Sequence, residues 1–306
     1  PVATLLAQTW DPALIRLAGD LVAEEMVTLG VDLWLAPGMN IHRNPLCGRN
    51  FEYYSEDPLL TGLCAAAITK GVQSHGGCGV TLKHFAGNNQ EFQRDCSNDI
   101  VSERAMRELY LKSFEIAVKQ AAPKAIMTSY NLVNDIYASE SKYLLKDILR
   151  DEWGFDGMVV TDWGGSNDHA IGVKNGSTLE MPAPGLGSAR EVIAAVKSGK
   201  ISEQDVDDRV RELLTLINRT QPAIDKHPKY SEEKHHLLAR KAAGECVVLL
   251  KNNENILPLA AGTKVALIGD FAETPRYQGA GSSVVNSTKV DSLKALIGDS
   301  SLNCIG

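Results

Sequence analysis

The 306-residue sequence contains no run of apolar residues near the roughly 20 that a membrane-spanning helix needs; its longest apolar runs are strand-sized. A membrane role is therefore not expected. It also lacks clustered basic residues: 31 Lys and Arg against 38 Asp and Glu give a net charge of -7, which argues against a nucleic-acid partner. The six cysteines, at 47, 64, 78, 96, 246 and 304, form no C-x-x-C pair. That spacing excludes the usual zinc knuckles and a disulfide framework, so a reducing compartment, the cytoplasm, is the expected location. His235-His236 has no partner at metal-pair spacing, and no metal or cofactor is expected. Pro1 is preceded by neither Met nor a basic-then-apolar leader, so processing or truncation is expected to have removed the true beginning. Internal repeats and low-complexity tracts are absent.

What is present is an ordinary globular mixture, 44% hydrophobic and 23% charged, long enough for two domains. Helical and strand signals alternate, which predicts an α/β fold with parallel strands wrapped by helices. Asp11-Pro12 opens a helix whose apolar stripe is Leu14, Leu17, Leu21 and Leu29, and Gly30 stops it. Asp57-Pro58 opens another that runs to about Ser74. Helices are further expected over Glu103 to Gln120, Lys142 to Glu152, Ala189 to Ser198 and Ser202 to Asn218, the last with Ser202 and Asp205 in a capping box. Strands are expected at Val31 to Ala36, Gly79 to Leu82, Ala125 to Ser129 and Gly157 to Thr161. The Pro-containing stretch 221–231 is expected to link a first domain, 1–220, to the start of a second, 232–306. In the second, a helix over Glu232 to Glu245 and strands at Val247 to Leu250 and Val265 to Ile268 are expected. Polar, Gly-rich segments follow the C-terminal ends of the early strands, at 37–56, 83–98, 130–140 and 162–168. In a (β/α)8 barrel, that face carries catalytic groups.

Asp162 ends the apolar strand that runs into Thr161-Asp162-Trp163-Gly164, which suits a carboxylate at a barrel mouth. On position alone, a cap of the next helix is the more ordinary reading. Three other segments precede it in order: Gly48-Arg49-Asn50-Phe51-Glu52-Tyr53-Tyr54-Ser55-Glu56-Asp57-Pro58, Lys83-His84-Phe85-Ala86-Gly87-Asn88 and Met127-Thr128-Ser129-Tyr130-Asn131. Together with Leu249-Leu250-Lys251-Asn252 and Gln278-Gly279-Ala280-Gly281-Ser282-Ser283, they resemble glycoside hydrolase family 3 of the two-domain β-glucosidase type. The resemblance covers nearly the whole chain. It implies a (β/α)8 TIM-like barrel lacking its start, followed by the beginning of an α/β sandwich.

The same resemblance implies a retaining exo-β-glycosidase with Asp162 as nucleophile, acting on terminal β-D-glucosyl residues of oligosaccharides or of aryl and alkyl glucosides. Arg49, Lys83 and His84 match residues that bond the sugar's hydroxyls, Met127 and Tyr130 match the wall, Trp163 is a candidate sugar platform and Ser283 a rim contact. Charged donors suit a polyhydroxylated ring, because their hydrogen bonds are stronger than neutral ones. Simpler roles stand beside each: Arg49 anchoring its loop through Glu52 or Glu56, Lys83 solvated, His84 bracing a loop, Tyr130 at a rim, Met127 in the core. Glu52 is expected to pin its loop, and Arg94 and Glu91 to lie near the pocket. The family's acid/base glutamate is expected beyond Gly306, and a sugar-binding aspartate before Pro1. The Lys-His-Phe-Pro-Gly-His signature of the single-domain hexosaminidase branch is not matched. Two alternatives remain open: β-xylosidase or α-L-arabinofuranosidase activity, and a catalytically silent sugar-binding fragment. Homo-oligomerisation is left open.

Overall fold

The fold is taken from a computed structural model, which describes residues 1–221, 229–298 and 303–305. The elements begin with helices α1 (Ala3–Gln8) and α2 (Pro12–Leu29), strand β1 (Leu33–Trp34), helix α3 (Pro58–Val72) and strand β2 (Gly79–Phe85). Strand β3 (Asn98–Asp99), helix α4 (Glu103–Ala105), a π-type turn at Met106–Tyr110, helix α5 (Lys112–Ala121) and strand β4 (Ala125–Thr128) follow. Next come β5 (Leu132–Val133), β6 (Ile136–Tyr137), a π-type helix over Tyr143–Glu152, β7 (Met158–Val160), α6 (His169–Asn175), α7 (Leu186–Lys197) and α8 (Glu203–Thr220). The C-terminal part holds α9 (Glu232–Glu245), β8 (Lys264–Ala266), α10 (Leu293–Gly298) and β9 (Asn303–Ile305).

Strands β1, β2, β4 and β7 are parallel neighbours in that order, and Leu179 extends the arc through a bridge to Val160. This is the α/β architecture expected of a TIM-like barrel. All of β2, β4 and β7 are buried, as strands must be when helices cover one face and barrel side chains the other. Asp11 caps α2 by accepting from Ala13 N (2.8 Å) and Leu14 N (3.2 Å), and Gly30 ends it in the left-handed region at φ 70°. Helices α2 and α3 pack backbone to backbone: a Cβ on Gly71 would sit 2.0 Å from the Arg16 carbonyl oxygen, and one on Gly19 2.4 Å from that of Ile68. Ser202 and Asp205 form the expected capping box on α8. Glu212 of α8 receives Arg150, Arg209 and the Thr178 hydroxyl, tying that helix to the end of the arc.

Several boundaries differ from expectation. The run Val31 to Ala36 pairs only at Leu33–Trp34, because the bonds further along go to loop carbonyls: Thr81 N binds Ala36 O and Lys83 N binds Pro37 O. The two helices expected at 103–120 and 142–152 contain π-type turns that periodicity alone does not signal. Val247 to Leu250 is not a strand; its side chains are exposed, from 60% to 90%, and it pairs with no strand among the described residues. A strand is stable only when a neighbour takes its backbone groups. The expected linker, 221–231, falls largely on residues outside those described.

Helix α9 packs on the first domain through charge. His235 lies between Glu25 (Nδ1 to Oε1, 2.5 Å) and Glu24 (Nε2 to Oε2, 3.1 Å), Lys234 reaches Glu24 at 2.5 Å, and His236 lies 3.1 Å from Asp291. His235 thus joins α9 to α2, while His236 ties α9 to the segment that carries Asp291. Among the described residues there is no metal-sized cluster of His, Cys, Asp and Glu, no helix long and apolar enough to cross a membrane, and no disulfide: the five described cysteines are free.

Candidate active site

A cavity of about 790 Å³ opens at the C-terminal ends of the parallel strands. Arg49, Lys83, His84, Met127, Tyr130, Asp162 and Trp163 all line it, and so does Ser283 from the second domain. All eight residues singled out in the sequence are therefore brought to one site, from segments as far apart as 49 and 283.

Asp162 follows β7 directly and is 8% exposed. Its Oδ1 accepts from Trp163 N at 2.8 Å; its buried Oδ2 receives no hydrogen bond among the described residues. The cap of the next helix is Asp168, which accepts from Ile171 N at 3.0 Å, so Asp162 is not spent on capping. An uncompensated buried carboxylate oxygen is costly, and proteins retain one where a ligand or a reaction uses it.

His84, on the buried end of β2, brings Nε2 to 3.6 Å from that oxygen. Burial first, then the nearby cations Arg49, Lys83 and Arg94, push its pKa well below the ordinary histidine value, so the ring is neutral. Lys83 also has a lowered pKa, chiefly from burial, with Glu52 acting in the opposite sense. Glu52 takes the Nε–H of Arg49 and lies 3.8 Å from Lys83 Nζ, so one carboxylate orients two cations. This is the loop-pinning role expected of it. The loop is held from behind by Thr4 of α1, whose hydroxyl lies 2.7 Å from the carbonyls of both Asn50 and Tyr53.

The opposite wall is apolar and aromatic. Met127 on β4 is 2% exposed, packs in a core cluster and also lines the cavity. Tyr130 donates to the Trp163 carbonyl at 2.9 Å, and its hydroxyl is pushed up to about 12 by burial and by the charge of Asp162. Arg94 stacks over the Tyr130 ring, 4.8 Å from its centroid, and pairs with Glu91 at 2.7 Å. Trp163 remains 45% exposed and lines the cavity.

Sequence reasoning missed the supports. Gln278 clips the second-domain loop by donating to Val285 O (2.8 Å) and accepting from Val285 N (2.9 Å), which sets Ser283 in the wall. Gly279 meets the Phe51 ring so closely that a Cβ would lie 2.3 Å from it. Asn40 brackets His84. The run around Gly279 entered the sequence reading only as part of the family resemblance, and nothing in the spacing marked Asn40.

The arrangement brings a buried carboxylate, cationic donors and an aromatic wall to one cavity, and the chain resembles known proteins throughout. The profile described as the glycosyl hydrolase family 3 N terminal domain matches residues 1–216, and that of the glycosyl hydrolase family 3 C-terminal domain matches 247–301. Thermostable beta-glucosidase B of Acetivibrio thermocellus is 46% identical over 293 residues, covering 96% of this chain and 39% of that protein. An exo-alpha-(1->6)-L-arabinopyranosidase of Bifidobacterium longum is 44% identical over 303 residues, 95% of this chain and 40% of its own length. The structure of beta-glucosidase 3B from Thermotoga neapolitana in complex with glucose superposes with a TM-score of 0.95 at 42% identity, covering all of this chain and 44% of that one. The chain spans about two fifths of the length of these curated relatives. With two domain profiles matched in order over most of its residues, the chain belongs to glycosyl hydrolase family 3.

Proposed function

We propose that the whole protein is a retaining exo-β-glucosidase in which Asp162 attacks the anomeric carbon of a terminal β-D-glucosyl residue. The observation that carries this is Oδ2 of Asp162, buried and without a hydrogen-bond partner among the described residues, in a cavity with Arg49, Lys83 and His84. Attack forms a glycosyl ester on that oxygen and expels the aglycone; water then resolves the ester. Arg49 and Lys83 hold the ring's hydroxyls by charge-assisted bonds, while Tyr130 and Met127 wall the ring and Trp163 supports it at the mouth. In the usual retaining glycosidase a second carboxyl group protonates the leaving group. Among the described cavity residues the other carboxylate is Glu52, and it is committed to Arg49 and Lys83, so we assign the proton donor to another part of the whole protein.

Glucose as the preferred sugar is favoured by the glucose-bound neighbour, while the arabinopyranosidase relative keeps a pentose substrate in view. Incubating the full-length protein with a 2-deoxy-2-fluoro-β-glucoside bearing a good leaving group, followed by peptide mass mapping, tests the reading. A stable adduct on the peptide containing Asp162 is expected; an adduct on another carboxylate refutes the assignment. Parallel assays on aryl glucoside, xyloside, arabinoside and N-acetylglucosaminide rank the sugars.

A further inference from the structure

Asn40 is 3% exposed and follows the Gly38 to Lys83 bridge that joins its segment to β2. Its side-chain amide spans both peptide groups of His84: Oδ1 accepts the His84 N–H at 2.8 Å, and Nδ2 donates to the His84 carbonyl at 2.9 Å. These bonds decide which end of the amide is oxygen, because a reversed amide would set donor against donor and acceptor against acceptor. The oxygen so placed also lies 3.2 Å from Nδ1 of the same histidine's ring. A carbonyl oxygen only accepts, so Nδ1 must carry the hydrogen. A neutral imidazole has one N–H, and Nε2 is then left with its lone pair.

Two groups pull the other way. Asp162 Oδ2, 3.6 Å from Nε2, would favour a hydrogen there, and the Tyr53 hydroxyl, 3.3 Å from Nδ1, could donate to a bare Nδ1. The first separation is beyond hydrogen-bond length, whereas the alternative tautomer presses an unprotonated Nδ1 against the Asn40 oxygen inside it. The Tyr53 oxygen can instead accept a share of the Nδ1–H. Burial and three cations keep the ring neutral, so the doubly protonated form does not relieve the choice.

We infer that Asn40 is a positioning residue that holds His84 as its Nδ1–H tautomer and thereby makes Nε2 a hydrogen-bond acceptor in the cavity. The inference rests on the sugar-hydrolase reading only for the identity of the group Nε2 meets; the tautomer itself does not depend on it. A hydroxyl facing His84 must donate, while hydroxyls facing Arg49 and Lys83 must accept. The site then checks hydroxyls for both halves of their hydrogen-bonding capacity.

The first test is nitrogen-15 NMR of the full-length protein labelled at histidine, with His84 assigned by difference from His84→Gln. A protonated Nδ1 and an unprotonated Nε2 are expected near neutral pH, with Asn40→Ala moving the population toward the Nε2–H form. An Nε2–H signal in the unaltered protein overturns the inference, whether or not the Asn40 variant folds. The second test compares deoxy and deoxyfluoro glucoses as competitive inhibitors. At the ring position whose contribution is lost in His84→Gln, both replacements should weaken binding about tenfold, the loss of one hydrogen bond. Because organic fluorine does not donate, a fluoro sugar binding as well as glucose there would refute an acceptor Nε2. If no sugar binds, the glycosidase reading fails, and the NMR result still decides the tautomer.

Discussion

Replacing Glu52 by Gln separates charge from shape at the centre of the site. In the parent, one carboxylate serves Arg49 and Lys83, and the three side chains are 9% to 12% exposed, so solvent screens them little. Breaking a buried pair while leaving its partner charged costs about 3–5 kcal/mol. Gln keeps a carbonyl that can still accept the Arg49 Nε–H, which places the expected loss at the lower end, about 3 kcal/mol. At roughly 2–4 °C per kcal/mol for a domain of this size, the melting temperature should fall by about 6–12 °C. The variant also has a signature in function. Glu52 raises the Lys83 pKa against the burial that lowers it, so its neutralisation lets that pKa drop further. Lys83 then loses its proton at a lower pH, and the rise of KM on the alkaline side should move toward neutrality, with kcat less affected. Scanning calorimetry and a KM profile in pH on the full-length protein check both parts. An unchanged melting temperature together with an unmoved alkaline limb would refute the reasoning that Glu52 is the shared counter-ion.

Other consequences are more local. Gly71→Ala places a methyl group 2.0 Å from the Arg16 carbonyl oxygen and forces α2 and α3 apart, so thermal unfolding should report a loss of about 1–3 kcal/mol, the usual scale of overpacking. Ser202→Ala removes half of the capping box on α8 and should cost about 1 kcal/mol in denaturant titration, with steady-state kinetics unaltered. Arg94→Ala removes the guanidinium over Tyr130, worth about 0.5–2 kcal/mol, so a rise in KM of roughly two- to thirtyfold is expected with the fold intact by circular dichroism.

How much could be seen in advance follows from how local each signal is. The helix starts at Asp11-Pro12, Asp57-Pro58 and Ser202 were legible because a cap is made within three or four residues. The parallel arc was legible as an alternation of buried strands with amphipathic helices. The π-type turns were not, since they change the helical register without changing composition. Nor was the failure of Val247 to Leu250 to pair: an apolar run states a preference, and a strand needs a neighbour to satisfy it. In the site, Asp162 and the Lys83-His84 pair carried their own neighbourhoods with them in sequence. Asn40, Gln278 and the Thr4 anchor act across 44, 7 and 46 to 49 residues, through bonds to backbone atoms that leave no mark on residue spacing.

The sequence by itself therefore determined the class of fold, the family and the eight residues that meet in the cavity, because those depend on residue type and order. Only the tertiary structure decided which carboxylate oxygen is left without a partner among the described residues, which cations share Glu52 and which nitrogen of His84 faces Asp162. Those are questions of distance and direction between groups far apart in the chain, where a shift of under an ångström separates a hydrogen bond from a contact.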